Sequence, residues 1–348
     1  MTGRVALYLG DFSSFNVVQT TRNIGRMLHS EFDLDLISTN PSAFPNDVSE
    51  YYTVHGGDCA RNRLGEVAAL RGYLRTHRPD IITHVGDVPV YGNTISMMAD
   101  EDMTFVCRYS GNTFHEYKAE VGTRRAKIFA LKNVWGRLSL YTADKFVTLG
   151  PRVKQRLVSR GIPSTDVRIL PPPVDPSRFE GVEEPELSIP NDRSVVLFVG
   201  RVSRLKGAVT LEETIPRILA RRPDLQFVLV GDIQYDIQIP ARYRDHVTAV
   251  GRVPPEEVPP YFALADLYVH PSLTEGISRS VIEALLSGTP VVARDVGDLS
   301  YATSNLFLSD EDLVDAVCHF EALPIESGEK FTIRSLKDRY LRFYSDIG

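Results

Sequence analysis

One rhythm constrains this chain more than any other feature: short apolar runs of strand length alternate with amphipathic stretches of helical length, and the series occurs twice. In the first series the pattern predicts strands at 5–10, 32–38, 80–85, 104–109, 145–149 and 167–170. Between them it predicts helices at 17–29, 63–76, 124–141 and 151–160. Strands that alternate with helices build a parallel, doubly wound sheet covered on both faces. The rhythm then breaks at Pro171-Pro172-Pro173 and in the acidic, proline-containing run 180–190, which suit neither helix nor central strand. A second series follows, with strands at 195–199, 226–230, 247–250, 267–269 and 291–293 and helices at 210–221, 258–263 and 279–287. The chain of 348 residues is therefore expected to form two α/β domains joined by a linker.

Composition narrows the function classes. Hydrophobic residues make up 43% and charged residues 24%, which excludes a disordered chain, and no apolar run reaches the ~18 residues of a membrane span. The first residues read as a buried strand and not as a signal peptide. Cys59, Cys107 and Cys318 are odd in number and far apart, which argues against a disulfide framework or a zinc site and for a reducing, cytoplasmic setting. A net charge of −6 argues against nucleic acid as a partner. Against that background, residues 122–160 carry ten basic side chains and a single acid, Asp144, a local +9.

Three pieces of the second half bear on chemistry. The predicted strand 195–199 runs into Gly200-Arg201, with Lys206-Gly207 opening the next helix. Two cations at the carboxyl end of a parallel strand, beside a helix start, suit a diphosphate; solvated surface charges are the plain alternative. Next, Glu275-Gly276-Ile277-Ser278 lies between a strand and a helix that carries Glu283 among Val281, Ile282, Ala284 and Leu285. Ser278 is placed to cap that helix, and Gly276 permits close backbone approach to a ligand. A carboxylate in so apolar a setting needs a partner, such as two neighbouring hydroxyls; a helix-stabilising acid near the dipole is the alternative for Glu283. Finally, Arg252 and Val253 follow a strand end whose backbone can read a nucleobase edge.

In combination these pieces resemble the retaining GT-B glycosyltransferases of family GT4, the group 1 proteins. The likeness rests on Gly200, Arg201, Lys206 and Gly207, on Glu275 and Glu283 spaced as Glu-x7-Glu, on Ser287-Gly288-Thr289-Pro290-Val291-Val292, and on Val174, Asp175 and Phe179. It implies two Rossmann-like domains facing across a cleft: 1–172 for the acceptor, a linker at 173–190, and 191–330 for a nucleotide-sugar donor. It implies that Arg201 and Lys206 hold the donor diphosphate and stabilise the leaving group, that Glu275 meets donor-sugar hydroxyls beside the Gly276 and Ile277 amides, and that Glu283 binds the ribose. Arg252, Val253 and Ser278 complete the nucleotide-sugar contacts. The C-terminal segment 331–348 is expected to return to the first domain, because Ile333, Leu336, Tyr340, Leu341 and Tyr344 form an apolar stripe with no later strand to cover it. The implied donor is a nucleotide-diphosphate sugar, a UDP-sugar first, with no other cofactor and a glycan or lipid-linked acceptor.

Two departures bear on sugar and acceptor contacts. Asp298 follows Gly297 where the family has a second glycine, and the first loop, Gly10–Asn16, lacks the family's glycine pair. Asn16 near a helix start can still approach phosphate or acceptor. His115 follows a strand end in the acceptor half and joins the candidate catalytic residues, whereas His270 beside Pro271 reads as structural. Asp33-Leu34-Asp35 has the letters of a metal-binding Asp-x-Asp but alternates as a half-buried strand showing its acids to water, so no metal is expected. Arg201 and Lys206 can supply the charge a metal supplies elsewhere. Rival readings are a sugar-nucleotide epimerase, a phosphorylase, or a non-catalytic sugar-nucleotide-binding subunit. The basic helix 124–141, with Ile128, Leu131, Val134, Trp135 and Leu138 on one stripe, suits peripheral contact with an anionic membrane, at the inner face of the plasma membrane, or ordinary packing on a sheet.

Overall fold

The computed structural model describes residues 3–12, 14–86, 88–111, 117 and 122–348. The chain divides into two compact units, Met1–Val174 with Phe331–Gly348, and Asp175–Lys330. The stretch read as a linker, 173–190, is thus split after Val174, and its larger part belongs to the second unit.

In the first unit the strands are β1 (Arg4–Gly10), β2 (Asp33–Ser38), β3 (Thr53–His55), β4 (Ile81–His84), β5 (Thr104–Tyr109), β6 (Lys145–Thr148) and β7 (Val167–Ile169). They form one parallel sheet in the order β3-β2-β1-β4-β5-β6-β7. β1 shows why such strands read as continuous apolar runs. Val5, Leu7 and Leu9 pack in one layer with Ile24, Met27 and Leu28 of the helix Phe15–Leu28. Ala6 and Tyr8 pack in the other layer with Ala69, Leu70 and Tyr73 of the helix Arg63–Thr76. Successive side chains point to opposite faces, and both faces are covered.

The second unit repeats the architecture with β8 (Ser194–Val199), β9 (Leu225–Val230), β10 (Val247–Gly251), β11 (Leu267–His270), β12 (Val291–Arg294) and β13 (Leu306–Phe307). Their order is β10-β9-β8-β11-β12-β13, again parallel. β3 and β13 have three and two residues, too few to leave a periodic signal in the sequence.

The C-terminal helix Ile333–Ile347 lies wholly in the first unit's core, burying Leu336, Tyr340, Phe343 and Tyr344 beside β1 and β2 residues. Thr332 caps it by accepting from the Ser335 amide at 3.2 Å. Val174 and Thr332 form an isolated parallel bridge, and the Tyr340 hydroxyl donates to the Pro171 carbonyl at 2.8 Å. Each large apolar side chain so buried contributes roughly 1.5–3 kcal/mol.

Two sequence readings need correction. The single helix expected over 124–141 is broken into the helix Gly122–Phe129, a wider π turn Ala130–Val134, a tight turn Trp135–Arg137 and the short helix Leu138–Thr142. Winding that loosens and then tightens cannot keep a 3.6-residue stripe on one side. Leu131, Val134 and Trp135 are accordingly exposed, at 41%, 66% and 54%, and packing on the sheet does not account for them. Asp35, expected to face water, is buried. β2 runs between β1 and β3 beneath the helix Arg63–Thr76, and the carboxylate accepts from the Tyr73 hydroxyl at 2.6 Å while meeting His55 Nε2 at 2.9 Å. Among the described residues no cluster of histidine, cysteine and acidic side chains suits a metal ion, and no helix is long and apolar enough to cross a membrane.

Candidate functional site

β9 and β10 lie to one side of β8, and β11, β12 and β13 to the other, so the second sheet changes winding direction between β8 and β11. Open α/β sheets bind ligands beyond the carboxyl ends of the strands at such a point. The loops that leave these two strands carry the cluster picked out by sequence. Arg201 and Lys206 follow β8; Glu275, Gly276, Ile277 and Ser278 follow β11.

Backbone fit holds the two loops together. The Leu273 amide donates to the Leu205 carbonyl at 2.9 Å, and Gly207 stands where a Cβ would lie 2.3 Å from the Pro271 carbonyl oxygen. Gly207 also adopts φ +87°, so a side chain is excluded by sterics and by conformation alike. Gly297 presses on the other side of the site, where a Cβ would fall 2.1 Å from the Glu275 carbonyl oxygen. The Asp298 amide donates to the Gly276 carbonyl at 2.9 Å, and Asp298 itself is fully buried. The departure from a double glycine is therefore built into the wall behind Gly276.

Lys206 Nζ lies 2.5 Å from Glu275 Oε1, and His270 Nε2 lies 3.1 Å from the same oxygen. The Glu275 side chain is only 12% exposed. Burial alone would raise its pKa, but Lys206 and His270 together hold the carboxyl well below the usual range, so it stays ionised at neutral pH. Behind it, the Tyr268 hydroxyl is 2.9 Å from His270 Nδ1 and 2.8 Å from Ser280 Oγ. Arg201 is exposed, and its guanidinium has no hydrogen bond or ion pair among the described residues.

Glu283 is buried in the helix Arg279–Leu286. Its Oε1 accepts from Arg178 Nη1 and from Arg279 Nε, each at 3.2 Å, and Arg178 also donates to the Pro255 carbonyl at 2.8 Å. Two guanidinium groups thus meet the need for a partner that its apolar neighbours imposed. Ser278 occupies the N-cap position of that helix but does not cap it with its side chain; its hydroxyl pairs with Ser280 Oγ at 3.0 Å instead. Arg252 is exposed and Val253 half-buried after β10, at the same end of the sheet but two strands from β8. Asn16 is exposed in the first turn of the helix Phe15–Leu28, in the first unit. His115 lies outside the described residues.

Sequence reasoning passed over Tyr268, Ser280, Arg178 and Arg279, and set His270 aside. The spacing of Tyr268 and His270, two apart on one strand, places them on one face and was legible. Arg279 and Glu283, four apart on a helix, were equally legible. Arg178 stands 105 residues from Glu283 and carried no local signal.

Comparison with known proteins accords with this geometry. A family model described as glycosyl transferases group 1 matches residues 193–320, and one described as glycosyltransferase family 4 matches residues 17–178. The two matches lie one after the other along the chain and together support a GT4-type, group 1 glycosyltransferase. It is similar to a D-inositol 3-phosphate glycosyltransferase of Arthrobacter sp. (strain FB24), 34% identical over 176 residues, which are 46% of this chain and 41% of that protein. It is also similar to TuaC of Bacillus subtilis (strain 168), a protein named for teichuronic acid biosynthesis, 36% identical over 141 residues, 39% and 35% of the two chains. The match thus spans about two fifths or less of these relatives' length. Among solved structures, sucrose-phosphate synthase from Thermosynechococcus elongatus superposes with a TM-score of 0.74 at 19% identity, covering 99% of both chains. Anabaena HepE in complex with UDP and glucose gives a TM-score of 0.67 at 14% identity, over 99% of this chain and 100% of that one. The two parallel-sheet units are those of a GT-B fold.

Proposed function

We propose that this chain is a retaining glycosyltransferase that moves a hexose-type sugar from a nucleotide-diphosphate sugar to a glycan or lipid-linked acceptor without a bound metal. The observation that carries the reading is the pair of loops at the β8/β11 switch point, where Lys206 meets an ionised Glu275 and Arg201, on the same loop as Lys206, is exposed and without an ion pair among the described residues. Arg201 and Lys206 are the residues to receive the diphosphate and to stabilise charge on the departing nucleotide, the work of a preorganised electrostatic site. Glu275 is the acceptor for sugar hydroxyls, and Glu283 is assigned to the ribose, with Arg178 and Arg279 fixing its carboxylate. A UDP-sugar is taken first among donors, a choice supported by a structural neighbour solved with UDP and glucose. A thermal-shift panel of nucleotides and sugar nucleotides tests this, since a ligand at 100 times its Kd adds roughly 2.7 kcal/mol of stability. A UDP-dependent shift that Arg201→Ala and Lys206→Ala abolish is expected. An equal shift in both variants overturns the diphosphate role.

The exposed Leu131, Val134 and Trp135, interleaved with Arg124, Arg125, Lys127 and Arg137, favour a second element of the reading: reversible contact with an anionic membrane surface at which a lipid-linked acceptor resides.

A further inference from the structure

Resting on that donor-site reading, we propose that His270 is a positioning residue, which keeps Glu275 aimed at the donor sugar when Lys206 leaves it for the diphosphate. The geometry sets the problem. Lys206 and His270 both meet Oε1 of Glu275, and no hydrogen bond to Oε2 occurs among the described residues. Oε2 is therefore the atom left for a sugar hydroxyl. An arriving diphosphate competes with Glu275 for the Lys206 ammonium, because one cation cannot sit at full strength on two anions. Once Lys206 turns away, a carboxylate that is 12% exposed has lost its countercharge, and a buried unpaired charge is costly.

His270 is built to stay. Its side chain is 2% exposed, at the carboxyl end of β11, and a strand-borne residue is more fixed than a loop lysine. An ionised carboxylate only accepts, so Nε2 carries the proton directed at Oε1. On the far side of the ring, the hydroxyl of the buried Tyr268 engages Nδ1 and continues through Ser280 to Ser278. Phe262 packs edge-on against Tyr268 with ring centroids 5.4 Å apart, which fixes the hydroxyl's origin. The chain His270–Tyr268–Ser280 thus orients the Glu275 carboxylate from behind, without itself reaching the substrate.

Two measurements on the full chain test this. In calorimetric titration, His270→Ala is expected to weaken UDP-glucose about 10- to 100-fold, the range found for groups that orient metal ligands, and to weaken UDP by clearly less, since UDP draws Lys206 away but brings no sugar for Glu275 to meet. His270→Gln, whose amide can donate to the same oxygen, is expected to restore most of the loss. Equal weakening of both ligands, or of neither, overturns the positioning role. With 15N-labelled histidine, the wild-type Nε2–H is expected to give a protected proton resonance that moves in Glu275→Gln and exchanges away in Tyr268→Phe. Wild-type protein that binds neither UDP nor UDP-glucose overturns the donor-site reading, and the resonance then decides His270 alone: a freely exchanging Nε2–H, or one indifferent to Glu275→Gln, overturns the positioning role.

Discussion

At the scale of single residues, the pair Lys206–Glu275 states what the site costs the fold. Glu275 is nearly buried and held ionised by its partners, so removing the cation strands a charge. Lys206→Met is expected to destabilise the protein by about 3 kcal/mol at pH 7, the low end for breaking a buried pair. Adding Glu275→Gln should return a large part of that loss, because the stranded charge is gone. Urea denaturation of the three proteins measures both numbers, and a double variant no more stable than Lys206→Met contradicts the pairing argument. The pH dependence has a definite sign. Since the folded carboxyl lies below its unfolded value of about 4.3, its contribution is complete above that pH and is lost as pH falls towards the folded value. Glu275→Gln should therefore lose less stability between pH 7 and pH 3 than the wild type does. Arg201, Lys206 and Glu275 stood out in the sequence because their position, just after β8 and β11, follows from local spacing around strand ends. His270 and Arg178 were not assigned, because what they do depends on which carboxylate the folded chain brings to them, whereas Arg279 was passed over although Glu283 stands four residues on in the same helix.

At the scale of elements, strands buried on both faces were the most legible part of the chain, since continuous apolar runs bounded by glycine and polar turns have few other uses. The C-terminal helix was legible for a related reason: an apolar stripe needs a surface. Its partner layer is the face of the first sheet that carries Val5, Leu7 and Leu9. Leu336→Ala is expected to cost about 2–5 kcal/mol, and Tyr340→Phe, which leaves the Pro171 carbonyl without its donor, about 1–3 kcal/mol. Both are measured by chemical denaturation; losses below about 0.5 kcal/mol, the scale of ordinary surface substitutions, would mean the helix is not part of that core. The segment 122–142 was misread because a hydrophobic pattern does not announce a π turn. Its spacing fitted a straight helix, and the wider turn carried Val134 and Trp135 outward.

At the scale of the whole molecule, two βα series separated by a proline-rich break made the two parallel-sheet units legible, whereas donor, acceptor and location are read by backbone groups and surface fields that leave weak marks in a sequence. The surface field is nonetheless uneven: a chain of net −6 gathers a local +9 within 122–160. Leu131, Val134 and Trp135 inside that segment are exposed, so the same stretch offers both the attraction and the anchor that an anionic membrane rewards. Each basic residue near such a surface contributes roughly 1 kcal/mol, and the contribution falls off within a Debye length of about 10 Å at 0.1 M salt. Sedimentation with phosphatidylglycerol vesicles at low salt is expected to carry most of the protein down, and high salt should release the greater part. Trp135→Ser with Val134→Ser should weaken binding while leaving its salt dependence, whereas Arg124→Ser with Arg125→Ser should weaken binding and flatten the salt dependence. Equal recovery with neutral and anionic vesicles, or none with either, would remove the membrane from the proposed function and favour a soluble acceptor.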